Sequence, residues 1–292
     1  MLPITELSNM ETFDIDIKDG EEIAKLINAE DKKVANAVEK VLPQIGAAID
    51  KIAYSLSRGG RMAYFGSGTS GRLGILDASE MQPTYGISPE MIQAYISGGK
   101  KAIRHAVENA EDNLELAVED MCRFNPQKND VVVAVSASGN PQYGITVLDL
   151  ARQKGCLTIA ISSNPDAKFK ELADIFINPI LGAEVITGSS RMKSGTAQKM
   201  ILNMLSTGAM IKLGKVYHNY MIDLEVTNQK LRLRAVRFVC EICDVDEKSA
   251  AKTLDAAKNV KTACVMIKKN CNKEQAQKLL AENGGILRKV IG

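Results

Sequence analysis

Residues 61–83, RMAYFGSGTSGRLGILDASEMQP, carry the clearest structural pattern in the chain. A short apolar run at 62–65 comes first, and small residues follow it at 66–71. Leu73 and Leu76 then have the spacing of one face of a helix. The order of these features predicts a strand, a loop of small residues and a helix.

The predicted loop has the composition of an anion-binding site. Glycine lets the backbone approach a ligand closely. The first turn of a helix offers N–H groups without partners and a partial positive charge. The hydroxyl groups of Ser67, Thr69 and Ser70 add donors around Gly68. A phosphate is the simplest ligand for such a loop, and a tight turn without a ligand is the alternative.

Two nucleotide-binding motifs are excluded at this loop. Gly66, Gly68 and Gly71 have the spacing of the dinucleotide fingerprint, but that pattern needs an acidic residue at the end of a second strand roughly 20 residues later. Residues 80–85, EMQPTY, do not form such a strand. No Gly-Lys-Ser/Thr is present, which excludes a nucleotide triphosphate loop. A small phosphorylated metabolite is therefore the expected ligand.

Two further segments repeat the pattern of strand, small-residue loop and helix. Residues 130–136 predict a strand that is buried on both faces of a parallel sheet. The loop after this strand contains Ser136, Ser138, Gly139 and Asn140. A third loop at 187–190 leads into a long helix at 191–213. The alternation predicts a doubly wound α/β layer, in which loops at the carboxyl ends of the strands share one ligand.

Helices are predicted on both sides of this layer. They are expected at 21–27, 34–57, 101–109 and 114–124, and toward the C-terminus at 228–243, 246–258, 262–269, 273–282 and 286–291. Pro83 is expected to limit the helix that carries Glu80. We divide the chain into an N-terminal helical segment (1–57), an α/β domain with a parallel sheet (58–222) and a small C-terminal helical domain (223–292).

The composition is typical of a globular protein with a core, since 45% of the 292 residues are hydrophobic and 25% are charged. A net charge of +2 without a basic run argues against nucleic acid or an anionic membrane as partners. We find no signal peptide and no apolar stretch long enough to cross a bilayer, so a cytoplasmic protein is expected. Cys240-x-x-Cys243 is the only close pair of cysteines, so neither a metal nor a cofactor is expected.

Three long stretches resemble one known family. They are GSGTSGRLGILDASE at 66–80, AEVITGSSRMKSGTAQK at 183–199 and NMLSTG at 203–208, and residues 28–31 and 227–231 also fit. On these residues the chain is similar to N-acetylmuramic acid 6-phosphate etherases, which have the sugar isomerase (SIS) fold. The resemblance covers nearly the whole chain. The vertebrate glucokinase regulatory proteins share several of these motifs.

The resemblance implies a reaction that removes the D-lactyl ether of N-acetylmuramic acid 6-phosphate during peptidoglycan recycling. It places the acid/base glutamates on Glu80 and Glu111. Opening of the sugar ring gives an aldehyde, which acidifies the proton on carbon 2. Glu111 would remove this proton and Glu80 would protonate the departing lactate oxygen, each transfer contributing roughly 10²–10⁴-fold. Partial burial beside Pro83 and Tyr85 is expected to keep Glu80 protonated.

The loops and the resemblance together give a set of expected contacts to the substrate or its phosphate. These residues are Ser67, Gly68, Thr69, Ser70, Ser136, Ser138, Gly139, Asn140, Glu184, Ser189 and Arg191. Arg191 and Lys193, near a helix start, suit either a ligand anion or a salt bridge. The chain departs from the usual family pattern at Met81, Gln82 and Asn140 and at 17–20, which concerns local shape and anion contacts.

Two other functions remain open from the sequence. A sugar-phosphate-binding SIS regulator would need the phosphate loops but no acid/base pair. An aldose–ketose isomerase would move protons without breaking the ether. A homodimer with composite sites is expected, because the long apolar helix at 198–213 leaves a broad face to cover and SIS relatives pair in this way.

Overall fold

The computed structural model describes residues 4–226 and 228–292, so Thr227 of the predicted 227–231 motif lies outside it. Internal contacts divide the chain into two compact units. The first joins the residues up to Ser79 with Pro89–Ser206, and the second joins Glu80–Ser88 with Thr207–Gly292. The boundaries drawn from the sequence, 1–57, 58–222 and 223–292, concern independently folding domains and stay a prediction.

The N-terminal part of the first unit is helical. Its elements are the 3₁₀ turns Ile4–Glu6, Met10–Thr12 and Ile15–Ile17 and the helices α1 (Gly20–Glu39) and α2 (Leu42–Ser57). A capping box starts α1, in which Asp19 accepts the Glu22 N–H at 2.9 Å. The helical conformation is interrupted at 40–41, between α1 and α2, because Pro43 fits the first turn of a helix but not its interior. The break predicted at 28–33 is therefore wrong, since α1 continues through it.

A parallel sheet of five strands forms the centre of the first unit. The strands are β1 (Met62–Gly66), β2 (Ile92–Ile96), β3 (Val131–Val135), β4 (Leu157–Ile161) and β5 (Ile175–Ile177). Their order is β2-β1-β3-β4-β5, and Phe65 of β1 lies opposite Tyr95 and Ala134. Every residue of β1 and β3 is buried. The predicted doubly wound α/β layer is confirmed.

The helices of this layer follow the strands. They are α3 (Gly68–Tyr85), α4 (Gly99–Arg104), α5 (Leu114–Phe124), α6 (Gln142–Gln153), α7 (Phe169–Leu172) and α8 (Lys193–Lys212). A helix that follows a parallel strand begins at the carboxyl edge of the sheet and runs back toward the amino edge. The carboxyl edge is therefore the place where α3 and α6 offer their N-termini.

Three predicted details of this layer are wrong. Pro83 does not end α3, which loses one N–H there but continues to Tyr85 and closes with a Gly86 N–H to Gln82 carbonyl bond of 2.9 Å. The helix predicted at 101–109 is shorter, because His105 is extended. The third loop does not follow a strand directly, since the irregular segment 178–192 separates β5 from α8.

The second unit contains the C-terminal helices. Its elements are the strands β6 (Val216–Tyr217) and β7 (Tyr220–Met221) and the helices α9 (Gln229–Cys243), α10 (Glu247–Ala257), α11 (Val260–Lys269), α12 (Lys273–Glu282) and α13 (Leu287–Ile291). Side chains of Asn228, Asp246, Asn259 and Asn272 cap α9 to α12. The predicted C-terminal helices are confirmed, with ends that agree to within two residues.

Candidate active site

A cavity of about 290 Å³ lies at the carboxyl edge of the sheet in the first unit. The turns after β1 and β3 form two of its walls, and the third loop and the 3₁₀ turn Ala110–Asp112 form others. Tyr143 and Phe169, both almost fully buried, also line it. The predicted convergence of the three small-residue loops on one crevice is confirmed. We call this cavity the carboxyl-edge cavity.

The first loop joins β1 to α3 with Ser67 as the only residue between them. A Cβ on Gly66 would lie 2.8 Å from the Gly71 nitrogen, so glycine is required there. The Ser67 hydroxyl accepts a hydrogen bond from the Ser97 hydroxyl at 2.8 Å. The loop residues that line the cavity are Ser67, Gly68, Thr69 and Ser70. The cavity thus adjoins the first turn of α3, whose N–H groups lack intrahelical partners.

The second loop is folded by hydrogen bonds of its own side chains. Ser136 Oγ accepts the Gly139 N–H at 3.1 Å, and Ser138 Oγ accepts the Asn140 N–H at 3.4 Å. Gly139 has a φ of +67°, and a Cβ there would come within 2.4 Å of a neighbouring side chain. Ser136 and Ser138 line the cavity, whereas Gly139 and Asn140 do not. Asn140 accepts the Lys168 N–H at 3.0 Å instead, and the substrate contacts of these residues stay predictions.

The third loop contributes Gly188 and Ser190 to the cavity. The substrate contacts were predicted at the neighbouring residues Ser189 and Arg191, which are not among the lining residues. Arg191 is exposed. The run of small residues marked this loop correctly, but sequence alone does not tell which of two adjacent serines faces inward.

Glu184 holds the start of α8. The residue is 1% exposed, and its two carboxylate oxygens accept the N–H groups of Lys193 and Ser194, both at 2.9 Å. A carboxylate in this position stabilises the N-terminus of a helix. The structure thus gives Glu184 a capping contact within the protein, and its substrate contact stays a prediction.

A buried ion pair ties α8 to α1. Lys193 and Glu30 are each 2% exposed, and Nζ lies 2.5 Å from Oε2. Lys193 also donates to the Leu181 carbonyl at 3.1 Å, and Lys33 binds the other oxygen of Glu30. Burial raises the pKa of Glu30, but the hydrogen bonds from the two lysines outweigh it and lower the pKa to about 2. Of the two roles open for Lys193, the structure shows the salt bridge.

The two predicted catalytic glutamates belong to different units. Glu111 lies in the turn Ala110–Asp112 after Asn109, which has a left-handed backbone (φ 58°), and it lines the cavity. Glu80 lies on α3 within the second unit and is exposed. The partial burial expected for Glu80 is therefore wrong in this chain. The catalytic roles of both residues stay predictions.

Thr5 and Glu6 also line this cavity, and no pattern in the sequence predicted either of them. The described lining therefore contains two carboxylates, those of Glu6 and Glu111. Thr5 and Glu6 lie in an N-terminal stretch without hydrophobic periodicity or a motif. A buried hydrogen bond of 2.7 Å from the Thr12 hydroxyl to the Val185 carbonyl anchors this stretch near the third loop.

Among the described residues that line the carboxyl-edge cavity, none is a lysine, arginine or histidine. His105 is exposed at the end of α4, and His218, in the second unit, has its Nδ1 3.2 Å from Arg288 Nη2. A phosphate in this cavity would be held by hydroxyl groups and by N–H groups at a helix start.

A second cavity, of about 590 Å³, lies at the opposite, amino edge of the same sheet, where β3, β4 and β5 begin. We call it the amino-edge cavity. Its cationic lining residues are Lys51, Arg58, Lys128 and Arg152. Its two carboxylates are engaged within the protein: Asp130 lies 2.6 Å from Arg61 Nη2, and Asp174 accepts the Thr158 N–H at 2.8 Å.

Within the described part of the chain, no cluster of three or more His, Cys, Asp or Glu residues is suited to hold a metal ion. The same residues include no helix long and apolar enough to cross a membrane. The six cysteines are all free thiols.

Known proteins place this fold in the SIS class. The profile of the glucokinase regulatory protein N-terminal SIS domain matches residues 44–152, and that of the C-terminal lid domain of the same protein matches 218–259. A solved structure of a proposed phosphosugar isomerase involved in capsule formation, from Bacteroides fragilis NCTC 9343, has a TM-score of 0.50 at 22% identity. The match covers 66% of this chain and 90% of that chain, and it shows the fold alone.

Relatives of nearly equal length define the family. The N-acetylmuramic acid 6-phosphate etherase of Escherichia coli O1:K1 / APEC is 50% identical over 290 residues, which are 99% of this chain and 97% of that protein. The protein of the same name from Shigella boydii serotype 18 (strain CDC 3083-94 / BS512) is 51% identical with the same coverage. The chain belongs to the N-acetylmuramic acid 6-phosphate etherase family, and the resemblance seen in its motifs is confirmed.

Proposed function

We propose that this protein is a carbon–oxygen lyase that removes the D-lactyl group from N-acetylmuramic acid 6-phosphate. The products are N-acetylglucosamine 6-phosphate and D-lactate, and the reaction serves peptidoglycan recycling and amino-sugar catabolism. Family membership over 99% of the chain is the observation that carries this proposal. The carboxyl-edge cavity supports it, because three small-residue loops and Glu111 meet there.

The substrate phosphate binds at the first and second loops. Ser67, Thr69, Ser70, Ser136 and Ser138 supply hydroxyl groups to the cavity. The α3 N-terminus adds N–H donors and a partial positive charge, which together suit a phosphate without a lysine or arginine. Gly68 and Gly139 give these loops their shape, since both have a positive φ.

Glu111 acts as the base that removes the proton from carbon 2. The ring-opened sugar carries an aldehyde at carbon 1, and the carbonyl makes the neighbouring proton acidic enough for a carboxylate. Among the described residues, none forms a hydrogen bond or ion pair with the Glu111 side chain, so its oxygens are open to substrate. Loss of the lactate oxygen from carbon 3 then gives an unsaturated aldehyde, to which water adds.

Glu80 acts as the acid that protonates the departing lactate oxygen. An ether oxygen leaves poorly as an alkoxide, so a placed proton lowers the barrier. The Glu80 side chain is exposed in this chain, and an acid that must hold its proton near pH 7 needs a less polar environment. A second copy of the chain that covers Glu80 provides such an environment.

We propose a homodimer whose active sites combine Glu111 of one chain with Glu80 of the other. Dimers with two-fold symmetry are the commonest assembly of soluble proteins. Sedimentation at micromolar concentration tests the oligomeric state, and a fully active monomer contradicts the proposal.

Mixing of two inactive variants tests whether the sites are composite. In a mixed dimer of Glu80→Gln and Glu111→Gln chains, one site keeps both glutamates and the other has neither. Coexpression is expected to restore about a quarter of the wild-type rate, because random pairing gives half mixed dimers with one intact site each. No recovery in the mixture means that each chain carries its own complete site.

The activity itself is tested by incubation with N-acetylmuramic acid 6-phosphate and an assay for D-lactate. We expect release from the phosphorylated substrate and little or none from N-acetylmuramic acid. The match to a regulatory-protein SIS domain supports the second candidate, a sugar-phosphate-binding regulator. Binding of the sugar phosphate without D-lactate release favours the regulator, and conversion to a ketose phosphate favours the aldose–ketose isomerase.

A cytoplasmic location is part of the proposal. The described cysteines are all free thiols, as is usual for proteins in a reducing compartment. Fractionation of cells, followed by detection of the chain, tests this assignment.

A further inference from the structure

Glu6 places a carboxylate in the carboxyl-edge cavity that the proposed reaction does not use. We propose that Glu6 binds the sugar portion of the substrate by accepting a hydrogen bond from a hydroxyl group or from the amide N–H. The identity of the sugar rests on the proposed function. The binding role rests on the cavity and on the charges within it.

Glu6 is an exposed residue whose carboxylate lies beside the third loop. Its neighbour Thr5 is 2% exposed and also lines the cavity. On the other side, the third loop passes so close that a Cβ on Gly188 would lie 3.1 Å from Glu6 Oε2. Gly188 has a φ of +75°, so a glycine is favoured there for the backbone as well as for the space. The carboxylate therefore belongs to the wall of the cavity.

No described residue neutralises the charge of Glu6. No described residue forms a hydrogen bond or an ion pair with its side chain, and no described cation lines the cavity. A phosphate beside this carboxylate would be repelled. An ionised carboxylate accepts hydrogen bonds from neutral donors, and the hydroxyl and amide groups of an amino sugar are such donors. Glu6 thus selects the sugar, while the serine loops hold the phosphate.

Binding of N-acetylglucosamine 6-phosphate and of inorganic phosphate, measured by calorimetry or as competitive inhibition, tests this role. We expect Glu6→Ala to weaken binding of the sugar phosphate by roughly 10- to 100-fold, the range for a hydrogen bond to a charged group. Glu6→Gln keeps one acceptor oxygen and is expected to lose less. Binding of inorganic phosphate is expected to stay the same or to tighten, because a repelling charge is removed.

Asp16→Ala is the matched control, since Asp16 is an exposed carboxylate on the same N-terminal segment and does not line the cavity. It is expected to bind both ligands as the wild type does. Unchanged sugar-phosphate binding in Glu6→Ala and Glu6→Gln overturns the inference. Equal loss of both ligands also overturns it, because Glu6 would then only shape the cavity. Absence of D-lactate release from the wild type counts against the proposed function instead, since binding is measured without turnover.

Discussion

The cavities at the two edges of the sheet differ in the charge of the side chains that line them. The larger amino-edge cavity has four lysine and arginine side chains in its lining, and the carboxyl-edge cavity has none among the described residues. Arg58 caps the C-terminal end of α2, and Arg152 lies in the last turn of α6, where cations offset the partial negative charge of helix ends. The direction of the helices, rather than the number of cations, therefore marks the edge at which an anion is expected.

The largest expected effect is that of replacing the two proposed catalytic glutamates. Glu111→Gln is expected to lower D-lactate release by roughly 10²–10⁴-fold or more and to abolish exchange of the carbon 2 proton with solvent, because abstraction precedes ether cleavage. Glu80→Gln is expected to lose D-lactate release but to keep the exchange. NMR in D₂O beside the D-lactate assay measures both events.

If exchange of the carbon 2 proton survives only in Glu111→Gln, the two glutamates have the reverse of the proposed roles. Near wild-type D-lactate release in both variants would show that neither glutamate carries the chemistry.

The next largest effect concerns the ion pair between α8 and α1. Lys193→Met leaves Glu30 buried with Lys33 as its remaining cation, and we expect a loss of about 3–5 kcal/mol in the free energy of unfolding. Lys25→Met is the control, because its ion pair with Glu21 is exposed and contributes about 0–1 kcal/mol. Urea unfolding compares the two. Equal losses would show that burial adds nothing to this pair.

The same pair predicts a dependence of stability on pH. The pKa of Glu30 is about 2 in the folded protein against an ordinary value of 4.5, so the folded state holds fewer protons between these values. The stabilisation is fully present above pH 4.5 and is lost as the pH falls toward 2. Urea unfolding across this window is expected to show a steeper loss for the wild type than for Glu30→Gln. Parallel slopes would contradict the lowered pKa.

A smaller effect compares the two edges directly. Ser70→Ala is expected to raise KM by roughly tenfold and to change kcat little, since a hydroxyl contact to phosphate is made equally before and during the reaction. Lys128→Ala, at the amino-edge cavity, is expected to leave both constants within about twofold, as for surface changes away from a site. If KM rises in Lys128→Ala alone, the phosphate binds at the amino-edge cavity instead.

Local patterns predicted most of the fold, and long-range contacts explain what they missed. Apolar runs marked β1 and β3, and the predicted helices toward the C-terminus agree with α9 to α12 to within two residues. The continuity of α1 was missed because Glu30 puts a charge at a core-facing position, and its partner, Lys193, lies 163 residues away. Periodicity along the sequence contains no information about such a partner.

The parts of the candidate site that depend on backbone conformation were predictable from the sequence. Glycine and serine at the ends of β1 and β3 predicted two of the loops that form the cavity. Glu6 was missed because an irregular segment places it there, through one hydrogen bond of Thr12 to Val185. Glu111 was identified from the family resemblance, since its own sequence context is that of a surface turn.

The absence of lysine and arginine among the described residues that line the carboxyl-edge cavity has a consequence for how a substrate is retained. These residues include two carboxylates, so their charges offer a phosphorylated sugar no attraction. Dissolved salt screens the repulsion by these carboxylates beyond roughly 10 Å at 0.1 M ionic strength. The described lining therefore retains a substrate through short-range hydroxyl and N–H donors rather than through charge attraction.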